Sequence, residues 1–243
     1  MDGNKILHHS SEDRKQKRKL TAASMRVYAV TDRSWLLHET LYQQVEKALK
    51  GGATFIQLRE KNMDDDSFLA AALEIKELTD RYHVPFVIND NVDVAVRSGA
   101  DGVHVGQSDM EAGDVRRLLG SDRIIGVSAH NVAEALAAEQ SGADYLGVGA
   151  VFSTTTKEDV KTVSYDTLSE ICAAVHIPVV AIGGITADNI ALLKGSGVSG
   201  VAVVSAIFGA EDITAVTKKI YNAVGEMLGR AQDGREDMYA ERA

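Results

Sequence analysis

Polar and cationic side chains follow directly after a short apolar run, in the segment Gln57-Leu58-Arg59-Glu60-Lys61. The apolar run is typical of a buried strand. Side chains on a strand alternate between its faces, so Gln57, Arg59 and Lys61 are predicted to share one face if the strand continues that far. Burying cations is costly unless they are paired, so this face calls for an anion. The segment therefore predicts a pocket for a phosphorylated ligand.

Two carboxylates without helical spacing, Asp90 and Asp109, follow two other apolar runs. Mg²⁺ prefers hard oxygen ligands and is commonly held by one or two carboxylates together with substrate phosphates. The pair therefore predicts a magnesium site. The alternative is that each aspartate caps the helix behind it, because aspartate is a favoured N-cap residue.

One sequence pattern recurs through the chain: a helical pattern stops at a glycine, and a short apolar run follows. Glycine suits the end of a helix because it accepts the left-handed conformation there. The apolar runs of this pattern lie at residues 55–58, 102–105, 145–148 and 200–204. Further apolar runs lie at residues 27–31, 85–89, 124–128 and 178–182, and helical patterns include residues 64–82, 131–140 and 186–193.

Eight apolar runs that alternate with helices indicate a parallel sheet covered by helices on its outer face. Eight such units in about 200 residues favour a single (β/α)₈ TIM barrel, and an open doubly wound sheet is the alternative. The barrel is predicted over residues 25–229, with a disordered basic leader at 1–24 and a flexible polar tail at 230–243.

Polar residues at the strand ends form the candidate site, because the active site of this barrel forms at the C-terminal ends of its strands. Strands two to five deliver Gln57, Arg59, Lys61, Asn89, Asp90, His104, Gln107, Asp109, Ser128 and His130. His104 is interpreted as a packed interior residue, and His130 is open to either a structural or a catalytic role. Asp101 and Asp144, which precede strands, are interpreted as turn residues.

A second anion site is predicted where strands seven and eight end. Gly183-Gly184 and Val204-Ser205 stand at the usual phosphate site of these barrels, where backbone N–H groups bind the anion. This site is distinct from the first, to which Lys157 adds a further cation. Two anion sites suggest two phosphorylated substrates.

The segment after strand six, Thr154-Thr155-Thr156-Lys157, adds hydroxyls and a cation at the barrel mouth. The same residue types are also typical of a polar surface loop, and that alternative stays open.

Charge and composition exclude several classes of protein. Residues 1–24 carry six basic and three acidic side chains, which leaves 20 basic and 32 acidic side chains in the remainder. An acidic body without a basic stripe is not expected to bind nucleic acid. The single cysteine, Cys172, excludes an internal disulfide and lies in a helical pattern, so we interpret it as a structural thiol. No apolar stretch suits a membrane span or a signal peptide, which predicts a cytoplasmic protein without a membrane partner.

An ordered set of motifs resembles the thiamine-phosphate synthase family. The set comprises Gln57-Leu58-Arg59-Glu60-Lys61, Asn89-Asp90, the run from Asp101 to Asp109, Thr154-Thr155-Thr156-Lys157 and Ala181-Ile182-Gly183-Gly184-Ile185. Each motif alone is modest, but their order is specific, and the match runs from about residue 26 to residue 229.

The resemblance implies that a hydroxymethylpyrimidine diphosphate and a hydroxyethylthiazole phosphate, or its carboxylated form, are joined with release of pyrophosphate. It assigns the pyrimidine diphosphate to Gln57, Leu58, Arg59, Glu60, Lys61, Asn89, Ser128 and Lys157. It assigns the thiazole phosphate to Thr154, Thr155, Thr156, Gly184, Val204 and Ser205. It assigns Mg²⁺ to Asp90 and Asp109. The catalytic residues that it implies are Arg59, Lys61, Lys157 and Ser128.

The implied chemistry is a dissociative substitution in which cations stabilise the departing pyrophosphate. The thiazole nitrogen then captures the pyrimidine methylene, and the barrel mainly aligns the two substrates. No protein nucleophile is needed. The small-molecule substrates are the expected partners, and a homo-oligomer is possible.

The chain departs from the family pattern after strand six, where Ala150 and Ser153 stand in place of expected prolines. Two alternative functions remain. A thiazole tautomerase-like isomerase would share the barrel and the thiazole phosphate site but does not need the diphosphate cations or the metal pair. A non-enzymatic phosphate-binding barrel would not be expected to retain both anion sites.

Overall fold

The computed structural model describes residues 20–36, 38–107, 112–153 and 162–229. Eight parallel strands close into a barrel in the order in which they occur along the chain. The strands are β1 (Val27–Val30), β2 (Phe55–Leu58), β3 (Phe86–Asn89), β4 (Gly102–Val105), β5 (Ile124–Ala129), β6 (Tyr145–Gly149), β7 (Val179–Ile182) and β8 (Gly200–Val203). The predicted (β/α)₈ barrel is confirmed, because β1 pairs with both β2 and β8 and leaves no open edge.

Helices follow the strands around the outside. They are α1 (Leu41–Lys50), α2 (Asp65–Tyr82), α3 (Val92–Ser98), α4 (Ala112–Leu119), α5 (Val132–Gln140), α6 (Tyr165–Ala174), α7 (Ser205–Phe208) and α8 (Ile213–Met227). Short 3₁₀ helices lie at Arg33–Trp35 and Ile190–Leu193. The helix predicted over residues 186–193 was therefore too long. The Asn189 side chain does not cap the 3₁₀ helix. It accepts from Thr186 N and donates to the Gly184 carbonyl instead.

Strand alternation separates two apolar cores. Side chains that face outward pack against the helices in one large cluster. Side chains that face inward form a second cluster, which includes Tyr28, Phe55 and Tyr145. The Tyr28 and Phe55 rings pack edge-on with centroids 4.7 Å apart, and Phe55 and Tyr145 lie 5.5 Å apart. Aromatic side chains thus form part of the packed interior of the barrel.

The residue before each even-numbered strand from β2 to β6 bonds the start of the preceding strand. Thr54 Oγ1 accepts from Val27 N at 2.9 Å, and the Asp101 carboxylate accepts from Phe86 N at the same distance.

Asp144 repeats this arrangement one unit later. Its carboxylate accepts from Ile125 N at 2.8 Å and from the Arg116 guanidinium at 2.6 Å. The turn interpretation of Asp101 and Asp144 is therefore extended: these side chains close the N-terminal end of the barrel.

The packed part of the chain begins before the predicted domain boundary. Residues 22–25 form a turn, and Leu20 packs against the inner core, which includes Met25. The remainder of the predicted leader, residues 1–19, and the predicted tail, residues 230–243, lie outside the described residues. Over the residues that are described, none of the helices has the length and apolar character required to cross a membrane.

Candidate active site

A cavity of about 160 Å³ opens at the C-terminal ends of the strands. Most of the candidate residues that could be located line it: Gln57, Arg59, Asn89, His104, Ser128, His130, Gly183, Gly184, Val204 and Ser205. They arrive from six different strands or from the loops that follow them. The barrel thus brings together residues that lie up to 148 positions apart in the sequence.

Arg59 supplies positive charge to the cavity wall. Its backbone N–H donates to Thr31 Oγ1 at 3.0 Å, which holds the loop after β2 against the end of β1. One guanidinium nitrogen, Nη1, lies 3.6 Å from Asp32 Oδ2, and the side chain is only 16% exposed. A partly desolvated guanidinium with a single distant carboxylate retains capacity for an anionic ligand.

Leu58, Glu60 and Lys61 of the same segment do not line the cavity. Strand β2 ends at Leu58, so the predicted alternation does not continue to Lys61, which is exposed on the following loop and does not line the cavity. Leu58 is buried in the outer core, so its contact with a ligand could come only through its backbone.

Glu60 forms an ion pair outside the cavity. Its carboxylate accepts from Arg33 Nε at 2.7 Å, and its side chain is 4% exposed. Burial raises the pKa of the Glu60 carboxyl, and the Arg33 guanidinium acts in the opposite direction. Glu60 therefore fastens the loop after β2 to the 3₁₀ helix that follows β1.

Asn89 and Asp90 stand together at the end of β3. Asn89 Nδ2 donates to Asp90 Oδ2 at 2.5 Å, and Asp90 N donates to the His104 carbonyl at 2.9 Å. Asp90 is exposed and has a φ of 62°, in the left-handed region that few non-glycine residues adopt. The fold thus holds Asp90 in an unusual backbone conformation next to Asn89, which lines the cavity, although Asp90 itself does not line it.

The capping alternative is wrong for Asp90. Asn91 caps α3 instead, because its side chain accepts from Val94 N at 2.9 Å. The Asp90 carboxylate therefore does not cap α3, the helix that follows it. An exposed oxygen donor of this kind fits Mg²⁺.

Asp109, the second predicted metal ligand, lies outside the described residues, as do Thr154, Thr155, Thr156 and Lys157. The described part of the chain contains no group of three or more metal-ligating side chains. The magnesium site therefore stays a prediction.

A chain of hydrogen bonds crosses the cavity floor. Gln57 Nε2 donates to the Tyr28 hydroxyl, and the Tyr28 and Tyr145 hydroxyls lie 2.7 Å apart. His104 Nδ1 lies 3.0 Å from the Tyr145 hydroxyl, and His104 Nε2 lies 3.0 Å from Ser128 Oγ. His104 is buried, as the interpretation as a packed interior residue requires, but it also lines the cavity.

Sequence reasoning missed Tyr28 and Tyr145. A signal was present: both are polar aromatics at inward positions of otherwise aliphatic or small-residue strands, and β5 carries Gly126 between its inward residues. A Cβ at Gly126 would lie 2.1 Å from the Tyr145 ring, so glycine there makes room for the tyrosine.

His130 lines the cavity and is anchored by Glu134. The Glu134 carboxylate accepts from His130 N at 2.8 Å and lies 3.0 Å from His130 Nδ1. Burial acts to raise the pKa of Glu134, but hydrogen bonds from His130 and Asn131 outweigh it and leave that pKa below its ordinary value. The ionised carboxylate thus orients the imidazole at the cavity wall.

The ends of β7 and β8 form a polar backbone surface in the same cavity. Gly183 and Gly184 have φ values of 98° and 65°. A Cβ at Gly183 would lie 2.5 Å from Ala150 Cβ, and one at Gly184 would lie 2.3 Å from the Ser153 carbonyl. Glycine is therefore required for the loop after β6 to approach β7. Ser205 begins α7 at the same end of the barrel.

Cys172 lies on α6, away from the cavity, and burial raises the pKa of its thiol to about 11. A thiol with so high a pKa carries little thiolate at neutral pH, which agrees with the structural interpretation.

Comparison with known proteins gives a consistent assignment. The sequence model of a family described as thiamine monophosphate synthase matches residues 27–207. A thiamine-phosphate synthase of Ruminiclostridium cellulolyticum is 50% identical over 194 residues, which are 80% of this chain and 92% of that protein. One of Clostridium beijerinckii is 50% identical over 196 residues, or 81% and 94%. The solved structure of a thiamine phosphate pyrophosphorylase from Pyrococcus furiosus matches with a TM-score of 0.79 and 39% identity, covering 86% of this chain and 99% of that one.

Proposed function

The chain belongs to the thiamine monophosphate synthase family and is a transferase, and we propose that it joins a hydroxymethylpyrimidine diphosphate to a hydroxyethylthiazole phosphate, or its carboxylated form. One observation carries the proposal. Arg59 of the first predicted anion site and Gly184 and Ser205 of the second line one cavity. A cavity with two separate anion sites suits a reaction between two phosphorylated substrates.

The pyrimidine diphosphate would occupy the side formed by β2 to β5. Arg59 would pair with the diphosphate, and Asn89 and Ser128 would donate to its oxygens or to the ring. Gln57 would contact the ring from the floor. Lys61 and Lys157 are further cations of this proposed site; Lys61 would have to approach from its exposed loop.

The reaction would break the bond between the pyrimidine methylene and the diphosphate oxygen. The bonding electron pair leaves with pyrophosphate, and the electron-rich aminopyrimidine stabilises the positive charge that remains on the methylene. Arg59 would stabilise the growing charge on the leaving group, because a preorganised cation in a partly dry site acts strongly where charge develops.

Asp90, together with Asp109, would hold Mg²⁺, and the ion would supply further neutralisation of the diphosphate charge. Within the described residues, the Asn89 amide and the left-handed backbone would orient the Asp90 carboxylate for this role.

The thiazole phosphate would bind at the ends of β7 and β8. Backbone N–H groups near Gly184, Val204 and Ser205 would hold its phosphate, with Thr154, Thr155 and Thr156 as further contacts. The thiazole nitrogen lone pair then forms the new bond to the methylene carbon. Because both substrates are held in one cavity, catalysis would come mainly from alignment and exclusion of water.

A direct assay tests the proposal. Purified protein is incubated with both substrates and Mg²⁺, and pyrophosphate and thiamine phosphate are measured together; we expect equal amounts of both. Mixtures that lack one substrate are the controls and should form neither product. Absence of product in the complete mixture would contradict the proposal, and interconversion of thiazole phosphate tautomers without pyrophosphate would favour the isomerase.

A further inference from the structure

The floor of the cavity is a continuous hydrogen-bonded chain that links two of its walls. Gln57 on β2 and Ser128 on β5 both line the cavity. Between them run Tyr28, Tyr145 and His104, with three contacts of 2.7, 3.0 and 3.0 Å after the first bond from Gln57. We call these five residues the floor chain.

The chemistry of the floor chain allows few arrangements of its protons. A tyrosine hydroxyl carries one hydrogen, so a hydroxyl that bonds two chain members donates to one and accepts from the other. A neutral imidazole likewise donates from one ring nitrogen and accepts at the other. When all four bonds are made, the chain therefore points in one of two directions as a whole.

In the first direction, Gln57 Nε2 donates to Tyr28, as the structure has it. Tyr28 then donates to Tyr145, Tyr145 donates to His104 Nδ1, and His104 Nε2 donates to Ser128 Oγ. This leaves the Gln57 carbonyl as an acceptor and the Ser128 hydroxyl as a donor. In the reverse direction, Gln57 turns its NH₂ group outward and Ser128 becomes an acceptor.

Packing prevents the two tyrosines from leaving the chain. Tyr28 and Tyr145 are 1% and 0% exposed. A Cβ at Gly126 would collide with the Tyr145 ring, and one at Gly147 would lie 3.2 Å from the His104 ring. Burial also raises the pKa of both tyrosines, although hydrogen bonds from Tyr145 and Gln57 act to lower that of Tyr28. Both hydroxyls thus keep their protons and their places.

We propose that the floor chain couples Gln57 to Ser128. When Gln57 presents its carbonyl acceptor to the cavity, Ser128 presents a hydroxyl donor, and when Gln57 presents its NH₂ donor, Ser128 presents an acceptor. Tyr28, Tyr145 and His104 are then positioning residues that determine specificity without touching the substrate's reacting atoms. The inference rests on the proposed function, because it concerns the pyrimidine ring of that reaction.

The ligand that fits this polarity carries a donor toward Gln57 and an acceptor toward Ser128. An aminopyrimidine has both, since its exocyclic amine donates and its ring nitrogen accepts. The 4-oxo analogue reverses this pattern, because its carbonyl accepts and its ring N–H donates. To bind it, the chain would have to reverse all four bonds, whereas a chain broken in the middle would let each end adapt alone.

Calorimetry with the two pyrimidine diphosphates tests the proposal. Binding of the 4-amino compound and of its 4-oxo analogue is measured with Mg²⁺ and without thiazole phosphate, so that no reaction follows. We expect the wild-type protein to prefer the amino compound by about 100-fold or more, because a mismatched analogue leaves buried polar groups unpaired.

In Tyr145→Phe the preference should fall to about 10-fold or less, mainly through tighter binding of the oxo analogue. Tyr28→Phe should act in the same way, and the double variant should lower the preference no further, because one break already separates the two ends. Tyr165→Phe is the matched control: it removes a hydroxyl that donates to the Lys194 carbonyl outside the cavity, and it should keep the wild-type preference.

The outcomes separate the proposals. Failure of the wild-type protein to bind the amino compound would contradict the proposed function. Normal binding with an unchanged preference in Tyr145→Phe, or an equal loss of affinity for both compounds, would overturn the floor chain alone. If Tyr145→Phe does not fold, Tyr28→Phe decides in its place.

Discussion

The two ends of the barrel use the same residue types for opposite purposes. At the N-terminal end, Asp101 and Asp144 accept hydrogen bonds from backbone amides of the neighbouring strands. At the C-terminal end, the Asp90 carboxylate accepts from the side-chain amide of its neighbour Asn89, and Asp90 is exposed. The carboxylates at the first end thus bond the backbone of the sheet, whereas the carboxylate at the second end bonds a neighbouring side chain and reaches solvent.

Backbone geometry explains the difference. At the N-terminal end, the amides of Phe86 on β3 and Ile125 on β5 donate to carboxylates from the turns before β4 and β6, the next strands around the barrel. At the other end Asp90 has a left-handed backbone, and Asn91 takes the capping role. The aspartates before β4 and β6 thus fasten neighbouring strands, whereas the aspartate after β3 does not cap the helix that follows it.

The largest effect is expected at Arg59. Arg59→Ala should lower kcat/KM for the pyrimidine diphosphate by about 10³-fold, because it removes a cation from the leaving group in a partly dry site. Binding of thiazole phosphate, measured by calorimetry, should be unchanged. Arg81→Ala, which removes an exposed arginine paired with Glu77, is the control. Equal loss of both ligands in Arg59→Ala would contradict the division of the cavity into two anion sites.

Asp90→Asn should lower kcat by about 100-fold and raise the Mg²⁺ concentration needed for half-maximal rate. Asparagine also tolerates the left-handed backbone, so the free energy of unfolding should change by less than about 0.5 kcal/mol. Asp101→Asn, at the opposite end, is the paired variant and should keep full activity. If the two variants lose activity equally, the contrast between the ends is wrong.

Asp144→Ala should lower the free energy of unfolding by about 2 kcal/mol, because it leaves the buried amide of Ile125 and the Arg116 guanidinium without this acceptor. The kcat of the folded variant should not change. Denaturant unfolding measures the first quantity, and Glu77→Ala, an exposed ion-pair variant, should cost less than about 0.5 kcal/mol. A loss of kcat with unchanged stability would assign Asp144 to the functional end.

The smallest effect concerns Glu60, which is a structural ion pair at the functional end. Because its pKa is raised in the folded state, its contribution to stability is present below the unfolded pKa and is lost as pH rises through the folded pKa. Relative to Glu60→Gln, the wild-type protein should therefore lose less than about 1 kcal/mol as pH rises through this window. Urea unfolding of both proteins at several pH values measures the difference, and a relative gain with pH would contradict the sign.

Much of the fold could be predicted because its signals are local. The recurrent glycines and apolar runs located all eight strands, since each unit ends a helix and begins a strand with the same residue types. Gly99, for example, caps α3 with a φ of 71°. The prediction of an α-helix over residues 186–193 was wrong because a non-local contact overrides the local pattern. The apolar spacing is helical, but the Asn189 side chain bonds the loop at Gly184, and a 3₁₀ helix forms at Ile190–Leu193.

The site was predictable where a side chain follows directly from its strand. Gln57 and Asn89 are the last inward residues of β2 and β3, and both line the cavity as expected. Lys61 does not line the cavity, because side chains alternate between the two faces only as far as the strand continues, and β2 ends at Leu58. Tyr28 and Tyr145 could not be found by reading strand ends, since they lie in the middle of β1 and at the start of β6 and meet only across the barrel.

The sequence by itself determined the eight-strand barrel, the polar residues at its strand ends and the resemblance to a family. These depend on periodicity and on motifs, which act over a few residues. Only the tertiary structure decided that Asn91 and not Asp90 caps α3, that Glu60 pairs with Arg33, and that a floor chain joins Gln57 to Ser128. The cap spans three residues, but the ion pair joins residues 27 positions apart and the floor chain joins residues up to 117 positions apart, which closure of the barrel brings together.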